Sequence, residues 1–420
     1  MPSLHRAPLW RVLAVNDHTG ATQLARLGRV YAGPCLPKAR PGDLWQGHLS
    51  ESTPDTPWQR RFAASGDFPH QDGDFARLHD RDSRRFQLLV ARSVLLQAIR
   101  QFFVRRDFVE ADTPAMAVSP GLELHLDAVR VQLRAGMAQG HNNQPLERWL
   151  VTSPEFHCKR LLAAGLEQVF SLQHAFRSGE RSQWHNPEFA MLEWYRVGAS
   201  YLDIVRDTQA LVRHCAKALQ QDPRTAHLLV VPPALVQRQS WPRWSIRQTL
   251  QTLAGFDPGK YVERQVLERA LACGLDVRPG DAAADVLVQA LVERVEPQLV
   301  HFPVLVLDRW PTQLASLAKR FDRTPHLAER FEIYVAGLEL ANGFTELTDV
   351  TEQRARFSAD LAARQRLGRP LYPMDERFLA ALAEGCPPAA GVALGVDRLL
   401  MALTGTADLD DVQMFPIERA

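Results

Sequence analysis

The segment EFAMLEWYR, residues 188–196, is the strongest constraint on what this chain can fold into. As a strand it places Phe189, Met191, Glu193 and Tyr195 on one face and Ala190, Leu192 and Trp194 on the other. A strand this apolar on both faces is expected to be buried, and it carries Glu193 with it. An unpaired buried carboxylate is costly, so it needs a cation or strong hydrogen-bond donors. The segment therefore predicts a covered sheet built around an acid in search of a cation.

Further strands read along the chain at 168–178, in FPVLVLDRW after residue 300, in the hairpin RFEIYVAGLELANGFTEL and in a glycine-strand-helix unit at 391–403. They are linked without regular βαβ alternation, which predicts an α+β domain, an antiparallel sheet flanked by helices. A long helix is expected from Asp82 to Arg106, with Leu88, Leu89, Ala91, Val94, Leu95, Ile99 and Phe102 as its apolar stripe. A second is expected over 153–165, with Ser153 as N-cap and Pro154 as its first residue. A third is expected over 351–367. Residues 200–300 read as a mostly helical insertion, with a polar, proline-bearing interruption at 221–245. His125, in LELHLD, falls in a strand-like segment.

The first 78 residues differ from the rest. WRVLAV, GRVYAG and GDLWQGHL read as short strands, and SESTPDTPWQRR and SGDFPHQDGD as linker. They form a β-rich extension (1–78) ahead of the main domain (79–420). It either resembles part of an oligonucleotide-binding barrel or packs as a simple strand-rich arm. Its strands look too few for a five-stranded barrel.

Composition narrows the class. Lys plus Arg is 49 against 48 for Asp plus Glu, so there is no global electrostatic case for wrapping nucleic acid. The five cysteines are odd in number, spread out and free of CxxC spacing, which reads as reduced thiols in a cytoplasmic protein. No stretch reads as a signal peptide or membrane span.

The hairpin carries chemistry. With Ala336-Gly337 as a two-residue turn, Val335 pairs with Leu338, Tyr334 with Glu339 and Glu332 with Ala341. Glu332 and Glu339 then become diagonal neighbours on a face expected to carry no Lys or Arg of its own. Such a pair suits Mg²⁺ shared with phosphate oxygens. For the hairpin taken alone, the favoured reading is one solvent-facing glutamate and an incidental pair. Asn342 and Glu346 follow after Gly343. Arg398, beside a glycine-bearing strand, and Arg177, at a strand end before a long loop, are suited to clamp phosphate, although Arg398 could merely pair with Asp397. Acids for a metal, arginines for phosphate and Glu193 together suggest nucleotide-dependent activation of something cationic.

FVEADTPAM, FRSGERSQWHNPEFAMLEWYR and GVALGVDRLLMAL resemble motifs 1, 2 and 3 of class II aminoacyl-tRNA synthetases. SPEFHCKRLLAAG, HNPEFAMLEWYR and ELANGFTELTD are similar to the lysyl type. The whole from about residue 80 most resembles the elongation factor P–lysine ligases, lysyl-tRNA synthetase paralogues without an anticodon-binding domain. The resemblance implies that ATP and (R)-β-lysine or lysine form an adenylate, and that the acyl group passes to a lysine of elongation factor P. It implies roles at matching positions. Arg177 holds the α-phosphate and Arg398 the γ-phosphate, with Ser178, Gly179, Glu180, Asn186, Glu339, Leu340 and Gly395 around the ATP. Glu332 and Glu339 hold Mg²⁺. Glu155 receives the substrate amino group, Glu193, Tyr195 and Glu346 surround the side-chain ammonium, and Ser153, Pro154 and Asn342 also bind substrate. Ala393 stands where lysyl-tRNA synthetases carry the middle glycine of motif 3, and its methyl reshapes the floor of the pocket. The chain departs from the pattern at Gly179, where the family places a glutamate against adenine. Either Glu180 takes that role through a loop shift, or backbone alone holds the base. Motif 1 implies a homodimer. The alternatives are transfer of lysine to tRNA, disfavoured here, or to a small amine, and a non-catalytic paralogue, which would have lost these arginines and acids.

Overall fold

The structure is a computed structural model and describes residues 8–26, 29–49, 57–64, 66, 68–70, 73–79, 84–133, 146–278 and 280–420. Asp82, most of the expected linker at 50–61 and parts of 65–74 lie outside the described residues. The chain divides into two units, one of residues 1–93 with 223–228 and one of 94–222 with 229–420. No helix among the described residues is long and apolar enough to cross a membrane, and the five cysteines are free thiols.

In the first unit, strands β1 (Leu9–Val15), β2 (Ala21–Arg26), β3 (Arg29–Cys35), β4 (Leu44–Gln46) and β5 (Gln59–Phe62) form one sheet in the order β3-β2-β1-β4-β5. Every pairing is antiparallel. Alternation in LWRVLAV turns Trp10 and Val12 inward to meet Leu24, Leu36 and Trp45 in a small core. Five strands are therefore present where too few were expected. This is the strand order of an oligonucleotide-binding barrel opened between its third and fifth strands. β5 was read as linker because its four residues, QRRF, are all exposed and show no alternation.

The second unit contains strands β6 (Val109–Glu110), β7 (Met116–Ala117), β8 (Arg130–Leu133), β9 (Leu146–Leu150), β10 (Gln168–Phe176), β11 (Glu188–Val197), β12 (Arg243–Ser245), β13 (Leu305–Pro311), β14 (Leu327–Val335), β15 (Leu338–Thr345) and β16 (Ala389–Gly395). The main sheet runs β12-β13-β14-β15-β16-β11-β10-β6. From β13 to β10 every pairing is antiparallel, and β12 and β6 join the edges in parallel. β7, β9 and β8 make a small separate sheet. β11 lies between β10 and β16, which explains its two apolar faces. One face packs Trp194 against Phe103, which stacks on Phe170 at 4.7 Å. The helices of 246–299 bury their own core against Leu305, Leu307, Trp310 and Tyr334 of the sheet.

Local differences from the sequence reading have physical causes. The helix Glu155–Ala163 starts with Pro154 at the cap, and Ser153 precedes it, its Oγ accepting from the Glu155 amide at 3.0 Å. In the β14–β15 hairpin the Ala336-Gly337 turn is as expected, but a bulge at Ile333/Tyr334 pairs Glu332 with Asn342, not Ala341. Residues 124–125 form a turn, not a strand. The side chain of Arg364, fully buried, donates to the carbonyls of Glu123, Leu124 and Leu126 and so takes up groups a strand ladder would use.

Candidate active site

One register row carries the site. Across the sheet, Leu307 pairs with Glu332, Glu332 with Asn342, Asn342 with Ala393, Ala393 with Glu193 and Glu193 with Ser171. Directly paired residues share a face, so this row sets Glu332, Asn342, Ala393 and Glu193 side by side over one cavity of about 570 Å³. Ser153, Glu155, Arg177, Glu180, Asn186, Glu339, Leu340, Gly395 and Arg398 also line it. Pro154, Ser178, Gly179, Tyr195 and Glu346 do not line it.

Glu193 is 1% exposed and forms no ion pair among the described residues; the nearby Lys159 is paired with Glu155 and Glu346. Ser153 Oγ donates to its Oε1 at 2.5 Å and the Tyr195 hydroxyl donates to its Oε2 at 2.6 Å. Burial, and then the charge of Glu155, push its carboxyl up to about 8 in spite of those two donors. The answer to an acid in search of a cation is therefore two hydroxyls and an open cavity. Gly391 lies opposite Tyr195, where a Cβ would come within 2.2 Å of the ring; glycine is required there for strands and tyrosine to pack.

The sequence reading did not single out Lys159. Its Nζ lies 2.5 Å from both Glu155 Oε1 and Glu346 Oε2, and the residue is 2% exposed. Burial would lower its pKa, but the two carboxylates outweigh burial and raise it, so the ammonium stays charged. Glu346, by contrast, is pushed up to about 8 by burial even with Lys159 beside it. The available signal was the Glu155/Lys159 spacing of four on a helix, a pattern far commoner on surfaces.

At the other end of the row, the face of the hairpin does carry an arginine. Arg330, two residues before Glu332, donates to Glu332 Oε1 at 2.5 Å, and the Tyr334 hydroxyl donates to Oε2 at 2.8 Å. Burial, opposed by Arg330 and reinforced by Glu339, pushes the Glu332 carboxyl up to about 7. Glu296 lines the same cavity, and its pKa is raised by burial and by Glu339. The negative charge of Glu339 thus acts on both Glu332 and Glu296, and a divalent cation would offset it. No cluster of three or more His, Cys, Asp or Glu among the described residues is arranged to hold one alone. Such an ion would have to complete its shell with ligand oxygens.

The arginines are positioned differently. Arg177 lies 5.1 Å from the Phe189 ring centroid, and its buried Nε has no hydrogen-bond partner, a donor left for a ligand. Glu180, 4.0 Å from Arg177, is on the cavity wall, whereas Gly179 adopts φ +81° and no Cβ there would touch anything. Arg398 donates to the Glu339 carbonyl at 2.9 Å and to His185 Nε2 at 2.8 Å. Because Nε2 accepts, the neutral His185 ring carries its proton on Nδ1, facing Ser182 Oγ at 2.8 Å. Burial, then Arg398, lowers its pKa in agreement. Asp397 does not neutralise Arg398; its Oδ2 accepts from the Ala190 amide. Asn186 faces the cavity but its side chain is committed to the Glu188 carbonyl and the Ile417 amide.

Residues 74–419 match the family model of class II tRNA synthetases (D, K and N). The chain belongs to that family. Within it, the chain is similar to proteins named elongation factor P–(R)-β-lysine ligase. The Vibrio cholerae protein is 37% identical over 336 residues, 79% of this chain and 96% of that protein. The Haemophilus ducreyi protein is 36% identical over 83% of this chain and 99% of its own length. The Vibrio vulnificus protein is 38% identical over 77% and 94% respectively. Class II synthetase chemistry, ATP-dependent formation of an aminoacyl-adenylate, accounts for a cavity lined by two arginines and by several buried acids, Glu193 among them.

Proposed function

We propose that this chain activates (R)-β-lysine with ATP and transfers the β-lysyl group to a lysine side chain of elongation factor P. The observation that carries the reading is the register row. It sets Glu193, an acid with no ion pair among the described residues, beside Ala393, on one cavity wall with Arg177 and Arg398. The shared name of the relatives supplies the amino acid and the acceptor.

In this reading the substrate carboxylate attacks the α-phosphorus and pyrophosphate leaves. The protein aligns the reactants and neutralises charge, Arg177 at the α-phosphate and Arg398 at the γ-phosphate. Glu332 and Glu339 would hold Mg²⁺, which when bound would offset phosphate charge. Glu155 receives the substrate's amino group and Glu193, with Tyr195, its side-chain ammonium. Asn342 lies between them and the metal end. Glu346 acts on the pocket through Lys159. Residues 1–78 form a separate oligonucleotide-binding-like module, and 79–420 the catalytic domain.

The test is AMP release from ATP by purified protein with (R)-β-lysine or L-α-lysine, each with and without elongation factor P. AMP release with mass addition to the factor, strongest with β-lysine, supports the reading. Activation without transfer would redirect it to tRNA or a small amine.

Substrate affinity should depend on pH. With the pocket empty, Glu193 holds its proton up to about pH 8. An ammonium binds the ionised form, so binding below that pH must expel a proton. KM for β-lysine should rise as pH falls from 8 to 6, by about tenfold per unit. A flat KM over that range would contradict the role of Glu193.

We also infer a homodimer. Val104, Val109, Met116 and Val118 are 59%, 48%, 42% and 45% exposed, an unusual run of apolar surface within and beside motif 1. Met116→Asp is expected to give monomers in analytical ultracentrifugation with folding retained, and an unchanged sedimentation profile would place the interface elsewhere.

A further inference from the structure

The wall of the cavity holds an acid that neither activation nor substrate binding uses. Glu123 lines the cavity, and its buried Oε2 has no hydrogen-bond partner, although the carboxyl group is within reach of its own backbone amide. The carboxylate lies over Gly121, whose φ is +126° and where a Cβ would come 2.5 Å from Oε2. The missing side chain at 121 is thus the seat of this carboxyl group.

Its loop is held on three sides. Arg364 donates to the carbonyls of Glu123 at 2.7 Å and Leu126 at 2.8 Å and to the Asp127 carboxylate at 2.7 Å. The Ser178 amide, next to Arg177, donates to the Asp127 carbonyl at 2.6 Å. The Thr152 hydroxyl, next to Ser153, donates to the Pro120 carbonyl at 2.7 Å. A buried acid held this firmly with one oxygen unsatisfied is costly, which calls for a functional reason.

Its electrostatic neighbours say where it points. Burial, Glu155 and Asp360 raise its pKa and Arg177 lowers it, with the balance at about 7. Glu155 marks the amino group of the activated amino acid and Arg177 its phosphate. In that function the acyl carbon would lie between those two groups, and Glu123, Glu155 and Arg177 line the same cavity.

The charge balance points the same way. Among the described residues, Glu123, Glu155, Glu193 and Glu346 surround this end of the site, and Lys159 is the cation shared by two of them. A diamino acid brings two ammonium groups. With Arg177 committed to phosphate in the function proposed above, one acid remains for a third ammonium, and transfer to a protein lysine delivers one.

Resting on the function proposed above, we propose that Glu123 is the general base of the transfer step, receiving the proton of the incoming alkylammonium. The acceptor R–NH₃⁺ gives a proton to the Glu123 carboxylate. The freed nitrogen lone pair forms the bond to the acyl carbon, and the acyl C–O bond to phosphorus breaks. AMP leaves with that electron pair, and the surplus proton on the new amide nitrogen goes to the departing phosphate. Glu123 returns its own proton to solvent through the open cavity.

The test separates the two half-reactions of the full-length protein. Pyrophosphate–ATP exchange with β-lysine reads activation, and mass addition to elongation factor P reads transfer. In Glu123→Gln, transfer should fall about 10²–10⁴-fold while exchange persists. Hydroxylamine, an amine already neutral at pH 7, should capture the adenylate from wild type and variant equally well. Wild-type transfer should rise with pH through about 7, and the variant should lose that inflection. Exchange lost in parallel with transfer would overturn the proposal and make Glu123 a substrate-binding acid, as would a hydroxylamine defect as large as the protein defect. Unchanged transfer would overturn it outright. Absence of exchange in wild type is a different failure, that of the function on which the proposal rests.

Discussion

Lys159→Met should cost about 3–5 kcal/mol of stability, because it leaves two buried carboxylates without their shared cation. Glu155 and Glu346 each lie 2.5 Å from the ammonium, and Glu346 Oε1 has no other hydrogen-bond partner. The melting temperature should fall on the order of 5–10 °C, read by circular dichroism. The deficit should also depend on pH in a defined direction. A carboxyl whose folded pKa lies above its unfolded value adds stability below the unfolded value and loses it as pH rises through the folded one. Glu346 is already raised to about 8 with Lys159 present, and removing the lysine raises it further. The variant should therefore be closest to wild type in acid and worst above pH 8, and Lys159→Met with Glu346→Gln should recover part of the loss. A melting curve indifferent to Lys159 would mean that the acids are protonated in the native protein and need no cation.

Arg398→Ala should remove activation and spare the fold. The side chain is 19% exposed, and its partners, the Glu339 carbonyl and His185, belong to the cavity wall. Loss of one preorganised donor at a site of developing charge lowers turnover about 10²–10³-fold. Pyrophosphate–ATP exchange should fall by that amount with the melting temperature unchanged. Undiminished AMP production would remove Arg398 from the phosphate site.

The central sheet could be read from the sequence where the chain itself states the rule. In EFAMLEWYR, period-two alternation with no polar face admits only an interior strand, and β11 is one. Glu193 and Ala393 come from segments about two hundred residues apart, yet each lay in a recognisable motif, so both were found. Other features depend on contacts that no local pattern encodes. The Ile333/Tyr334 bulge exchanges Ala341 for Asn342 opposite Glu332, and nothing in EIYVAGLELAN announces an extra residue. Arg330 was visible two positions from Glu332 and should have been counted on its face. Lys159 sits on a short amphipathic helix where its burial follows only from packing. Glu123 carries no motif, and its loop takes its shape from an arginine far along the chain.

That distance has a consequence for how the protein is made. Arg364 and the Glu123 carbonyl are 241 residues apart, and Arg364 and Asp127 are 237 apart. At about 5–20 residues per second on the ribosome, tens of seconds separate the appearance of the loop from that of its clamp. Through that interval β10 and β11 have emerged and can pair, while the wall that holds Glu123 has no means of taking its final shape. β16, the other neighbour of β11, emerges later still, so both the sheet and the cavity wall are complete only near the end of synthesis, and a prematurely terminated chain would carry the acids without the frame that holds them.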